Sequence, residues 1–193
     1  LKVLPSDPLS AARWLRGHHE LAPRFVAEFL VSSGVSNLTL FAIGGIAGLG
    51  ELGRLRAGEI ALGPLTVLFA GAGLVATPEG VRLLHESPGR LVRGCRWLSL
   101  ALVAGVIAWG AVVSIVPRGI GELLLRANWD TARSLLLPLS IALIGYAFSF
   151  GAWTGLRALA AARRSLRARC IDGALTFSLG LTGAYLGGAT GVA

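Results

Sequence analysis

Apolar residues gather into five runs, at roughly 25–49, 57–81, 97–117, 134–156 and 171–192, separated by shorter segments in which arginine dominates. Each run approaches the roughly twenty residues that an α-helix needs to cross the hydrocarbon of a bilayer, and strands of a soluble sheet would be far shorter. The pattern predicts an all-α polytopic transmembrane helix bundle over 25–193, with about five spans visible, preceded by a basic cytoplasmic juxtamembrane segment over 1–24.

The second run, GEIALGPLTVLFAGAGLVATPEGVRLL, keeps charge and proline toward both ends. Glu59 and Glu79 are twenty residues apart, and at about 1.5 Å per residue they would stand roughly 30 Å apart, at opposite rims of one spanning helix. Pro64 and Pro78 each remove a backbone donor and crowd the preceding turn, so both are predicted hinges. Breaks of this kind are tolerated in membranes where the freed carbonyls face protein or a water-lined space. Glu79 also reads as a local ion pair with Arg82, three residues on.

The first run, RFVAEFLVSSGVSNLTLFAIGGIAGLG, carries a polar stripe. Arg24, Glu28, Ser32, Ser36 and Thr39 recur at helical spacing, and Asn37 follows Ser33 by four on the adjoining stripe. A polar stripe at membrane depth must face protein or water. Serine and threonine bonded back to their own helix, with Arg24 and Glu28 as an interfacial ion pair, would satisfy it without any function. The functional reading is a hydrated cavity, because ionisable residues within spans mark substrate or ion pathways. Arg24, Glu28, Ser32, Ser36, Asn37, Thr39 and the rim residue Glu59 are the candidate cavity-lining or substrate-binding set.

Composition supports membrane insertion. The chain has 193 residues, 54% hydrophobic and 15% charged, with mean hydropathy +0.70, where a soluble domain carries about a quarter charged residues. A net charge of +8 and a pI near 11.2 would suggest nucleic acid in a soluble protein. Here the arginines lie between apolar runs, so no nucleic-acid partner is expected and the charge reads as topology. The five polar segments, in chain order, hold 4, 2, 4, 3 and 5 Lys and Arg residues. The positive-inside rule therefore places the N-terminus, the 82–96 segment and the 157–169 segment in the cytoplasm.

Residues 1–24 are polar and broken by Pro5, Pro8 and Pro23, unlike a signal peptide. The chain contains no methionine and ends as LGGATGVA inside an apolar run, so it reads as an excerpt from a longer protein. Cys95 and Cys170 fall at cytoplasmic span ends, where a stable disulfide is not expected. Gly44/Gly48, Gly151/Gly155, Gly183/Gly187 and Gly187/Gly191 have the four-residue spacing that lets helix backbones approach closely. Trp97, Trp129 and Trp153 lie near predicted span ends as belt aromatics, and Trp109 lies deeper. The segment RGIGELLLRANWDTARS reads as a short amphipathic turn on the outer surface, and RALAAARRSLRARC as its basic counterpart inside. The preference for arginine over lysine looks like a GC-rich bacterial genome.

Enzyme signals do not survive inspection. Gly71-x-Gly73-x-x-Ala76 resembles a dinucleotide fingerprint but lies in mid-span, without a parallel-sheet pattern or an acidic residue at the expected distance. His18, His19 and Glu20 are adjacent and cannot converge as a helical zinc pair. Phosphate loop, nucleophile elbow and magnesium-binding Asp motifs are all missing. No catalytic residue, metal or cofactor is expected.

The order of features, from RFVAEFLVSSGVSNLTLFAIGGIAGL through LRAGEIALGPLTVLFAGAGLVATPEGVRLL and VPRGIGELLLRANWDTARSLLLPL to LRALAAARRSLRAR, resembles the C-terminal half of polysaccharide or O-antigen flippase-like proteins of the multidrug/oligosaccharidyl-lipid/polysaccharide (MOP) exporter superfamily. The resemblance implies one lobe of a two-lobe flippase whose six-helix lobes alternate access around a central cavity. It further implies a lipid-linked saccharide substrate flipped across the inner, cytoplasmic membrane for polysaccharide or lipopolysaccharide biosynthesis in the cell envelope. The partners would be that substrate, the lipid bilayer and the missing N-terminal lobe. Two alternatives remain: a drug or metabolite exporter of the same superfamily, and a non-transporting membrane scaffold or assembly subunit.

Overall fold

Proline, glycine and serine punctuate this chain more sharply than hydropathy does. The computed structural model describes residues 22–125 and 129–192. Among the described residues seven helices follow in order: α1 (Ala22–Ile46), α2 (Leu49–Ala61), α3 (Gly63–Glu86), α4 (Pro88–Ile115), α5 (Arg118–Leu125), α6 (Trp129–Ala158) and α7 (Ala162–Val192). Among the described residues there is no strand.

Each boundary has a local cause. Gly48, at φ 92°, takes the left-handed backbone that separates α1 from α2. Gly63 and Pro64 open α3, and Ser87 and Pro88 open α4: the Ser87 hydroxyl accepts the Arg90 N–H at 3.2 Å, and proline lacks a donor that a first turn would leave unused. Ala160, at φ 50°, ends the turn between α6 and α7.

Among the described residues four helices are long and apolar enough to cross a membrane: Phe29–Ile46 within α1, Gly63–Glu86, Pro88–Ile115 and Ala132–Ala158. The stretch 171–192 lies within α7, which is not one of these four; Asp172 and many glycine, threonine and serine residues dilute its leucines. Phe41, Leu74 and Ile115, on three of these four helices, are each more than three-quarters exposed, as side chains facing lipid should be and water-facing ones would not. The protein is a membrane-embedded helix bundle.

Two expectations are corrected. The run 57–81 is not one helix: α2 ends at Ala61 and α3 begins at Gly63, so Glu59 and Glu79 stand on different helices. Pro64 is a helix-starting residue at the head of α3 and not a hinge within a span, whereas Pro78 does lie inside α3. The arginine segments 82–96 and 157–169 are helical almost throughout, because α3 and α4 are joined by Ser87 alone and α6 and α7 by 159–161. Arginine is a good helix former, so these helices extend past their apolar stretches.

The most extensive pairings are α4 with α6 and α1 with α7. In lipid, helices gain little from hydrophobic burial against one another, and close packing and hydrogen bonds must hold them. Gly151 and Gly155 of α6 lie against Cys95 of α4, with the Gly151 backbone on the Cys95 carbonyl. Gly58 brings α2 against Leu135 and Leu139 of α6. The main core joins Leu62, Phe69, Leu102, Val106, Leu136 and Phe150 from α3, α4, α6 and the α2–α3 junction. Trp129, expected in the interfacial belt, belongs to this core at 3% exposure, its ring filling the space above Gly121. α5 carries its charged edge outward and is tied to α6 by Arg118 and Asp130 at 3.0 Å.

Candidate functional site

The polar stripe of α1 divides into a packed part and an open part. Thr39 is buried, its hydroxyl donating to the Val35 carbonyl at 2.8 Å. Its methyl stands 3.0 Å from where a side chain at Gly180 would begin, and Val35 lies likewise against Gly173. Thr39 is therefore a packing residue of the α1–α7 contact and not part of an open face: glycine on α7 lets the backbones approach, and the back-bonded hydroxyl needs no water. Ser36 and Asn37 remain exposed, and the Asn37 amide donates to the Ser33 carbonyl at 2.8 Å. Both fall at the middle of the apolar window Phe29–Ile46. Arg24, Glu28 and Ser32 lie on α1, but their side chains are outside the described residues, as are His18, His19 and Glu20 altogether.

Glu59 pairs with Arg56 at 2.6 Å near the end of α2, and Glu79 pairs with Arg82 at 2.7 Å, as its spacing suggested. Both pairs are exposed and span three residues of their own helix, an arrangement worth well under 1 kcal/mol at a wet surface. Beside Pro78 lies a cavity of about 300 Å³ walled by Val75, Ala76, Gly80, Leu91, Leu98 and Thr154, with Glu79 at its edge. Pro78 has no N–H to give to the Leu74 carbonyl, so α3 is weakened where this cavity leaves its flank free to bend. Gly71, Gly73 and Ala76 sit within α3, and the dinucleotide fingerprint lacks its strand and turn.

A larger groove of about 710 Å³ runs between α4 and α6, lined by apolar side chains together with Cys95, Arg96 and Ser99. Ser99 spans the two helices, donating to the Phe148 carbonyl at 2.9 Å and accepting the Gly151 N–H at 3.1 Å.

Three further contacts escape a reading of spans. Tyr146, Phe150 and Trp153 of α6 form an aromatic column that meets Phe69 of α3, with ring centroids 5.1 to 5.6 Å apart at Tyr146–Phe69, Phe150–Phe69 and Tyr146–Trp153. The Arg169 guanidinium of α7 lies 3.7 Å over the Trp153 ring, so Trp153 also serves the packing of α7 on α6. Tyr146, Phe150 and Trp153 recur at four and three residues, a helical stripe that would have revealed the column. The Trp109 indole donates to the Ala61 carbonyl at 3.0 Å, across the α2–α3 break.

The third is Glu51 on α2, outside the four spans. It accepts the Ala189 N–H at 2.9 Å and the Arg54 guanidinium at 2.9 Å, just after α7 turns at Gly188 with φ 58°. The Ala189 hydrogen bond first, and Arg54 after it, hold the Glu51 carboxyl below its ordinary value of 4.5. A carboxyl lowered by folding stabilises the folded state above its unfolded value, and that contribution is lost as pH falls through the folded value. The unfolding midpoint of Glu51→Gln in detergent should therefore lie below that of the parent at neutral pH. The gap should close as pH falls below 4.5; a gap independent of pH would deny the carboxylate its role.

In comparisons with known proteins, the chain matches no family model, no curated protein and no solved structure.

Proposed function

We propose that the chain forms one lobe of a transporter that flips a lipid-linked saccharide across the cytoplasmic membrane, the activity implied by its resemblance to MOP-superfamily flippases. The observation that carries this reading is the exposure of Ser36 and Asn37 at mid-span of α1. The Asn37 amide gives one N–H to the Ser33 carbonyl but keeps a second N–H and an acceptor oxygen that hydrocarbon does not satisfy, which favours water or another protein surface on this face. In a two-lobe transporter it would line the cavity between lobes, with Glu28 about two turns and Arg24 about three turns nearer the cytoplasmic mouth. An arginine there supplies charge for a diphosphate head group without a deep desolvation cost. The arginine-rich junctions α3–α4 and α6–α7 would face the cytoplasm, and Pro78 would let α3 bend during alternation.

Cysteine accessibility tests the cavity. In the full-length protein carrying Cys95→Ala and Cys170→Ser, Ser36→Cys and Asn37→Cys should react in intact membranes with a water-soluble maleimide. Reaction only after solubilisation would instead favour the scaffold reading, in which a partner helix covers this face. In proteoliposomes, Arg24→Ala and Glu28→Gln should slow translocation of a lipid-linked oligosaccharide about tenfold or more at unchanged protein abundance. Equal loss of abundance and transport would mark both as folding residues.

A further inference from the structure

The α4–α6 groove differs in chemistry from the α1 face. Its walls are Leu91, Leu100, Phe148, Ala152, Leu156 and Leu159, and its volume of about 710 Å³ suits an extended hydrocarbon chain. Its polar members offer little to a sugar: Ser99 is committed to the Phe148 carbonyl and the Gly151 N–H, and Cys95 is a thiol. No acidic residue lines it, and Arg96, which does, is exposed and forms no ion pair among the described residues. Trp97, next in the chain, is 67% exposed. An exposed tryptophan beside an arginine is the pairing found at head-group depth, where the indole is held between lipid and water. Its floor lies where Gly151 and Gly155 let α6 approach Cys95 of α4.

We propose that this groove binds an anionic phospholipid of the surrounding bilayer, one acyl chain lying between α4 and α6 and the phosphate on Arg96. A guanidinium engages phosphate oxygens through two parallel N–H donors, and basic residues at the membrane surface attract anionic lipid. The apolar walls select the chain and Arg96 selects the head-group charge. The site does not depend on the transport reading, since no residue of α1 lines the groove.

Native mass spectrometry of the full-length protein, released from bilayers of phosphatidylcholine containing a minor fraction of phosphatidylglycerol, tests the site. The parent protein should retain phosphatidylglycerol roughly fivefold over its share of the bilayer, as one basic contact near the surface allows. Arg96→Gln should remove that preference while phosphatidylcholine is still retained. Ala152→Trp, which fills an exposed part of the groove, should lower retention of both lipids, and Ala152→Ser should leave it unchanged. If Ala152→Trp fails to fold, the Arg96→Gln comparison decides alone. Retention in proportion to the bilayer, or a preference indifferent to Arg96→Gln, would overturn the proposal. So would displacement of the phospholipid by an added lipid-linked oligosaccharide, which would reassign the groove to substrate.

Discussion

Gly151→Ala is expected to unfold much of the bundle, although it adds a single methyl. The new Cβ would stand within overlap of the Cys95 carbonyl oxygen and 2.5 Å from the Ser99 hydroxyl. The first obstacle is backbone and cannot rotate away, so α4 must retreat from α6. Retreat also stretches both Ser99 hydrogen bonds, at 2.9 and 3.1 Å, which link the two helices at this level. Overpacking costs about 1–3 kcal/mol and each polar group left unsatisfied about as much again. Together these approach the ~5–15 kcal/mol that holds a typical domain folded. Gly155→Ala is the control, because its Cβ would lie 3.3 Å from the Cys95 sulfur, which can turn aside. Its cost should stay near 1 kcal/mol or less. Unfolding midpoints in detergent titrated with a denaturing surfactant would separate the two; equal effects would mean that α4 and α6 do not meet at Gly151.

The second large effect is expected at Trp109. Between α2 and α3 the helical ladder is interrupted, and the Leu65 N–H turns to the Leu62 carbonyl at 2.9 Å. The Ala61 carbonyl receives its hydrogen bond from the Trp109 indole instead. Trp109→Phe keeps most of the ring but removes the donor, and a carbonyl without a partner away from water costs about 1–3 kcal/mol. Trp97→Phe, at an exposed ring, should change stability by less than about 0.5 kcal/mol. If the two variants unfold alike, the α2–α3 break has another source of compensation.

The membrane character and helical class of this chain were legible because apolar runs of spanning length have few other uses. Gly151 and Gly155 were legible too, since spacing alone puts both on one face. Gly183 was only half so: it meets Gly191 of its own helix, because Gly188 reverses the chain between them. A glycine reads equally well as a packing surface and as a turn until its φ is known. The split at Leu62 was hidden because a proline near an apolar run's start looks alike whether it kinks one helix or begins the next. Thr39 shows the same limit, for a hydroxyl at membrane depth can face water or bond to its own helix. Glu51 and Ala189 lie 138 residues apart, and nothing local in either marks the other. Ser36 and Asn37 were legible as polar positions of an apolar run, and the structure leaves both exposed on α1.

Ser87 has a mechanical consequence. A single residue, tied to α3 by its N–H on the Leu83 carbonyl at 3.0 Å and to α4 by its hydroxyl on the Arg90 N–H, leaves no slack between α3 and α4. The last two turns of α3 and the first turns of α4 thus behave as one rigid elbow, with Pro78 as the nearest place where stiffness drops. Any swing of the far half of α3 pivots there, and the arginine-bearing elbow stays where it is, a fixed footing against which the remainder of the helix works as a lever.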